Sequence, residues 1–369
     1  MRDVLGYPVV RDNTQDLAEG GTRLVSLARL AGLLHDVGHS PFSHVGERRL
    51  FKEKDGERRW RHEDYSEAII SSTEIGSIIN EELDGYGITS GDVARILVGA
   101  PIREGFVSEL LSSPWDVDKM DYLLRDSLYC GVQYGRFDLE RLIRTLTLFR
   151  EPGGGSLILA VEEGGLHAVE SLILARYFMF TQVYFHDVRR AYDLVLTDLI
   201  AEALQKERGE AYYPLPSQIQ EFLAWDDVRI LAAAQNLSNK EARNPAWSVL
   251  VRQHPRVIFS TLPHPGPLVV KNAGRLENTL RANFPEIEKV WTDKAIDHPE
   301  SYKEVDLPIK RDAKRHGQNP EWTFLRSESR AVASLEPIGQ VRVYGEFKGD
   351  KALEERAVQF CQEQIGGLR

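Results

Sequence analysis

Three of the chain's ten histidines fall in one short segment, His35-Asp36-Val37-Gly38-His39-Ser40-Pro41-Phe42-Ser43-His44-Val45-Gly46-Glu47. An imidazole nitrogen and a carboxylate oxygen, adjacent at the end of a rigid helix, are suitable ligands for Zn, Mn or Fe. The dipeptide alone carries little weight, since chance supplies about 0.6 such pairs in a chain of this makeup. A second pair, His186-Asp187, occurs in an aromatic run. The competing reading of His35 is a histidine at the negative end of a helix, where an imidazolium is favoured.

A second cluster lies in Asp116-Val117-Asp118-Lys119-Met120-Asp121-Tyr122-Leu123-Leu124-Arg125-Asp126. With Asp118 at zero on a helical wheel, Tyr122 falls near ~40°, Asp126 near ~80°, Lys119 at ~100° and Arg125 near ~−20°. Met120, Leu123 and Leu124 take the opposite side. One face thus carries two acids, a lysine, an arginine and a tyrosine over an apolar back. An ordinary solvated amphipathic helix has the same pattern.

The elements that must position these groups are mainly helical. Val25, Leu27, Leu30, Leu33 and Leu34 form an apolar face after Thr22, and Gly38 is expected to stop that helix. Ser40-Pro41 reads as a new helix start, with serine as cap and proline in the first turn. Another helix is expected near 65–80, a loop at 84–92, and helix again at 93–98. Ser113-Pro114-Trp115-Asp116 reads as a cap, a first-turn proline and an acid three residues on. Residues 145–150 and 156–163 flank a Gly-rich turn as a β-hairpin. One or two long aromatic-rich helices fill 166–207, and the stripe Tyr177, Phe178, Phe180, Tyr184, Phe185 reads as core or subunit interface. The last third is richer in proline, with an exposed connector at 310–322, a strand at 340–347 and a helix at 351–364. The expected architecture is mainly α, a helical domain over 1–225 followed by a smaller α+β region over 226–369.

Composition narrows the function classes. The 369 residues carry 46 Lys+Arg against 56 Asp+Glu, a formal charge of −10, which disfavours nonspecific binding to nucleic acid or anionic membrane. Two cysteines, Cys130 and Cys361, make no disulfide framework and no CxxC zinc site; both read as inert core residues in a reducing cytoplasm. No apolar run approaches the length of a membrane span. Walker A, GxGxxG, HExxH and GxSxG patterns are absent from the sequence.

The two clusters, in this order and with His62-Glu63 between them, resemble the HD-domain phosphohydrolases, and within them the deoxynucleoside triphosphate triphosphohydrolases. The resemblance is good over about 22–200. It implies a divalent metal (Mn, Fe, Zn or Mg) held by His35, Asp36 and Asp118. It further implies that His39 and His62 line the phosphate site and that His44 with Glu47 forms a histidine–acid pair for proton transfer. Lys119 and Tyr122 match residues contacting phosphates and sugar, Asp126 the acid at the deoxyribose 3′-hydroxyl, and Arg176 a phosphate-binding arginine. The implied reaction converts a dNTP to deoxynucleoside and tripolyphosphate, in a homo-oligomer.

The family carries a further histidine ligand upstream of the His-Asp pair, and none of residues 1–34 is histidine. The expectation is a chain that starts inside the loop following that ligand's helix. A short form using Asp3, Asp12 or Asp16 instead would bind metal weakly. Two other readings stay open: an HD phosphohydrolase or phosphodiesterase acting on another nucleotide, and a nucleotide-binding or assembly protein with an impaired site.

Overall fold

The computed structural model describes residues 21–54, 59–99, 105–150, 157–239, 244–296, 306–312, 322–336 and 338–365. Asp3, Asp12, Asp16, the Gly153–Gly155 turn and most of the 310–322 connector lie outside them. The fold is mainly α, with two small sheets. Two compact units emerge, each assembled from separated segments. The first comprises Met1–His39, Arg61–Met179 and Pro299–Leu335; the second comprises Ser40–Trp60, Phe180–His298 and Glu336–Arg369.

In the first unit, helices Gly21–Leu34, His62–Ser72, Glu74–Glu82, Ser90–Leu97, Gly105–Leu111, Val117–Tyr129, Leu139–Thr145 and Leu166–Met179 surround a core of aliphatic side chains. Helix 21–34 buries Leu24, Leu27, Ala28, Ala31 and Leu34, a stripe at the three- and four-residue steps of one helical face. Leu33, expected on that face, is 73% exposed. Strands β1 (Leu146–Arg150) and β2 (Leu157–Glu162) form the expected antiparallel hairpin, with Leu146 opposite Val161. The hairpin does not stand alone. β5 (Pro308–Lys310) adds to β2 in parallel and β6 (Trp322–Phe324) to β5 antiparallel, giving the order β1-β2-β5-β6.

In the second unit, β3 (Arg256–Ser260), β4 (Lys289–Ile296) and β7 (Gly339–Glu346) make an antiparallel sheet in the order β3-β7-β4. Side chains alternate across a strand. Ile258, Val290 and Val343 join Leu276 and Leu280 of helix Pro267–Asn283 and Leu353, Ala357 and Cys361 of helix Lys351–Ile365 in one core. Polar residues of β4 and β7 meet helix Asp187–Arg208 instead. Arg190 grips the buried Asp293 carboxylate through two nitrogens, Asp198 accepts from Lys289 and Trp291, and the Tyr344 hydroxyl donates to the Asp187 carbonyl at 3.0 Å. Burial pushes the Tyr344 hydroxyl well above its ordinary pKa.

Several local expectations are corrected. No helix starts at Ser40-Pro41: residues 41–46 are turns, with Phe42 and Ser43 both at φ 59°, and a short helix runs Glu47–Leu50. The cap of helix 117–129 is Asp116 rather than Ser113. The single helix expected at 65–80 is two, because Thr73 caps a second at Glu74. Cys361 is buried but Cys130 is exposed. Of the aromatic stripe, Phe185 is buried and Phe178 is 44% exposed.

Gly38 is a close-approach position more than a helix stop. A Cβ there would sit 2.2 Å from the His62 carbonyl oxygen and 2.3 Å from the Ser66 nitrogen. Its amide donates to the Ser66 hydroxyl at 3.0 Å, and that hydroxyl donates to the His35 carbonyl at 2.8 Å. The joint locks the end of the His-Asp segment onto helix 62–72. Gly38→Ala is expected to cost about 1–3 kcal/mol of stability through backbone overlap. Chemical denaturation would measure it against Gly85→Ala, where the added Cβ meets nothing within 4 Å.

Candidate metal centre

Two elements of the first unit bring His35, Asp36 and Asp118 together. The apolar stripe of helix 21–34 seats His35 and Asp36 just past its end. Asp118 occupies the first turn of helix 117–129, whose start is fixed by the buried Asp116 carboxylate: it accepts from the Lys119 amide at 2.7 Å, the Ser113 amide at 3.1 Å and the Lys119 ammonium at 2.6 Å. Burial raises the Asp116 pKa against the pull of Lys119.

The ligand atoms converge. His35 Nε2 lies 3.2 Å from Asp36 Oδ1 and 3.3 Å from Asp118 Oδ1, and the three residues form a candidate cation group. On the far side of the ring, Nδ1 is 3.0 Å from the Gly32 carbonyl oxygen. A proton on Nδ1 bonded there leaves the Nε2 lone pair facing the carboxylates, the tautomer a metal ligand requires. Nε2 is buried and makes no well-directed hydrogen bond. One nitrogen and two carboxylate oxygens aimed at a common point fit a divalent cation.

The Asp118 carboxylate is the main cause that pushes His35 up to about 9, with Asp36 adding to it and burial opposing. Burial raises Asp36, but His39, His35 and His62 outweigh it and hold the carboxyl below its ordinary value. His39 Nε2 is 3.4 Å from Asp36 Oδ1, and its ring stacks on that of His62 with centroids 4.0 Å apart. His62 opens helix 62–72, with Nδ1 3.6 Å from Glu63 Oε2.

The remaining expected residues fall as follows. Tyr122 and Asp126 sit one and two turns beyond Asp118 on the same helix, both partly buried. Lys119 is engaged with Asp116. Arg125 turns to Asp121 at 2.7 Å in an exposed pair. Arg176 is buried in helix 166–179, which packs on helix 117–129. His44 and Glu47 belong to the second unit and pair there, Nδ1 to Oε1, at 3.3 Å. His186 and Asp187 also pair, at 3.1 Å, but the histidine serves as an exposed helix cap, and neither belongs to a candidate cation group among the described residues. Sequence reasoning missed Ser66, which has no local signal, and misassigned Asp116, whose acid type and place before a helix could have marked it as the cap.

Metal binding must displace the proton on His35. At pH 7, cation uptake is therefore expected to release about one proton from this group, and affinity to rise about tenfold per pH unit until roughly pH 9. Calorimetry in buffers of different ionisation enthalpy reads the proton count. In the metal-free protein the sign is opposite. The folded value lies above the ordinary 6.5, so this group's stabilisation is full below 6.5 and is lost as pH climbs through about 9.

Residues 12–126 match the HD domain family, and residues 137–253 match the HD-associated region. The Bacillus subtilis protein YwfO is 37% identical over 206 residues, covering 54% of this chain and 43% of its own length. Chicken deoxynucleoside triphosphate triphosphohydrolase SAMHD1 is 28% identical over 220 residues, covering 52% of this chain and 35% of its own. The chain thus spans less than half the length of these curated relatives. A crystal structure of a hypothetical protein from Aquifex aeolicus superposes with a TM-score of 0.66 at 30% identity, covering 90% of this chain and 79% of that one. Among the described residues, no helix is long and apolar enough to cross a membrane. With two adjoining family matches, a structural relative of this extent and the His-Asp pair facing a third acid, the chain belongs to the HD-domain family.

Proposed function

We propose that the chain hydrolyses deoxynucleoside triphosphates at the α-phosphate, releasing deoxynucleoside and tripolyphosphate, as a homo-oligomer. The observation that carries this reading is the helix face that begins at Asp118. It brings a candidate metal ligand, Tyr122 and Asp126 into one row beside Lys119. The likeness to SAMHD1, a deoxynucleoside triphosphate triphosphohydrolase by name, supports it.

His35, Asp36 and Asp118 would hold a divalent cation, which would supply Lewis-acid polarisation of a phosphoryl oxygen and a more acidic water. The chain's own groups do the rest. His39 and His62 face the phosphates as hydrogen-bond donors, and Lys119 and Arg176 offset phosphate charge as the P–O5′ bond breaks. The water oxygen bonds to the α-phosphorus and gives up its proton to solvent, the P–O5′ bond breaks, and the departing 5′-oxygen takes a proton, the step that the family resemblance gives to the His44–Glu47 pair. Tyr122 stacks by the sugar, and Asp126 accepts from the 3′-hydroxyl.

The test incubates each of the four dNTPs, and the matching ribonucleotides, with the chain and Mn²⁺, separating nucleoside, tripolyphosphate and orthophosphate by chromatography. Deoxynucleoside plus tripolyphosphate is expected, with at least about a 100-fold loss of kcat in His35→Ala and Asp118→Ala. Asp126→Ala should lower kcat/KM for dNTPs about 10- to 100-fold. Turnover of ribonucleotides without dNTP turnover would assign the site to another phosphoester. Saturable dNTP binding without product would make this a binding protein.

A further inference from the structure

The turn that carries His44 is held from a distant helix. Phe42 and Ser43, neither a glycine, both adopt left-handed backbone at φ 59°, a conformation that L side chains avoid. Bonds within the turn are short-range: the Ser43 amide donates to the Ser40 carbonyl at 2.9 Å, and the Ser40 hydroxyl to the Ser43 carbonyl at 3.2 Å. A bond spanning 185 residues joins it to the rest of the second unit. The Phe42 amide donates to Asp227 Oδ1 at 2.8 Å.

Asp227 is suited to that task. It is the first residue of helix Asp227–Leu237, but Asp226 supplies the cap, accepting from the Arg229 amide at 2.7 Å, so the Asp227 carboxylate is not spent on the helix end. An amide donating to a carboxylate makes a stronger bond than a neutral pair. On the other side of His44, Gly46 is also left-handed at φ 78°, and Arg49 is tied to the buried Asp198. His44 therefore lies between two anchors, and its Nδ1 meets Glu47 Oε1 at 3.3 Å.

We infer that Asp227 is a positioning residue: by holding the Phe42 amide it fixes the left-handed turn and sets the direction in which the His44–Glu47 pair presents its proton. This inference rests on the proton-transfer role proposed above. Asp227 itself touches no reacting atom.

The test compares Asp227→Ala, Asp227→Asn and His44→Ala on two substrates. A dNTP expels a 5′-alkoxide, which needs a proton. The 4-nitrophenyl ester of thymidine 5′-monophosphate expels nitrophenolate, which does not. Asp227→Ala should lower kcat on the dNTP about tenfold, a part of what a general acid supplies, at unchanged KM. Its turnover of the nitrophenyl ester should stay near wild type. Asp227→Asn, which keeps the side-chain carbonyl acceptor, should restore dNTP turnover. Hydrogen exchange at the Phe42 amide should quicken in Asp227→Ala and stay slow in Asp227→Asn. Equal losses on both substrates, or no loss on the dNTP, would overturn the inference. If the wild-type chain cleaves neither substrate, the proposed function fails, and the exchange measurement still decides the clamp: an unchanged rate in Asp227→Ala overturns it.

Discussion

Two carboxylates converge on one imidazole nitrogen, and the first unit is arranged around tolerating that convergence. Asp36 and Asp118 each bring an oxygen to within 3.3 Å of His35 Nε2. Like charges this close repel unless something positive lies between them. A proton on His35 serves in the metal-free protein, which is why its pKa is pushed up to about 9. A divalent cation would do the same with more charge. The surroundings of the cluster hold the three donors in place.

That rigidity comes from ordinary parts. The buried aliphatic stripe of helix 21–34 fixes where the chain emerges as His35-Asp36. The Gly38–Ser66 joint fixes how the segment leaves, since it admits no side chain at Gly38. The Asp116 cap sets the rotation of helix 117–129, and with it the direction of Asp118. None of these groups is a candidate ligand, yet shifting any of them would move a ligand atom.

The second unit uses charge differently. One face of its sheet is an aliphatic core, while Asp293, Tyr344 and Trp291 meet helix 187–208 through hydrogen bonds. Buried ion pairs of this kind add little net stability, because desolvation offsets the attraction. They do fix one docking geometry, since any slip leaves a buried carboxylate unpaired. The same helix lies against the segment that carries His44 and Glu47, with Thr197 close beside Gly46.

Much of this was legible in the sequence because it is local. The His35-Asp36 pair suggested metal chemistry, the family resemblance added Asp118, the wheel put Asp118, Tyr122 and Asp126 along one face, and alternation marked β7. What misled was also local. Ser40-Pro41 and Ser113-Pro114 carry good helix-start signals, but the first becomes a left-handed turn tied to Asp227, and the second yields its cap to Asp116. In each case a contact or a neighbouring acid outweighed an intrinsic preference worth about 1 kcal/mol. Nothing local announces that 308–310 and 322–324 return to extend a hairpin at 146–162, or that the hydroxyl of Ser66 meets Gly38. The sequence by itself determined which residues carry the donor atoms a cation would need and most of the faces that are buried, since these depend on side-chain type and period. Only the tertiary structure decided which atoms meet, because strand partners and close approaches are selected by groups far apart in the chain.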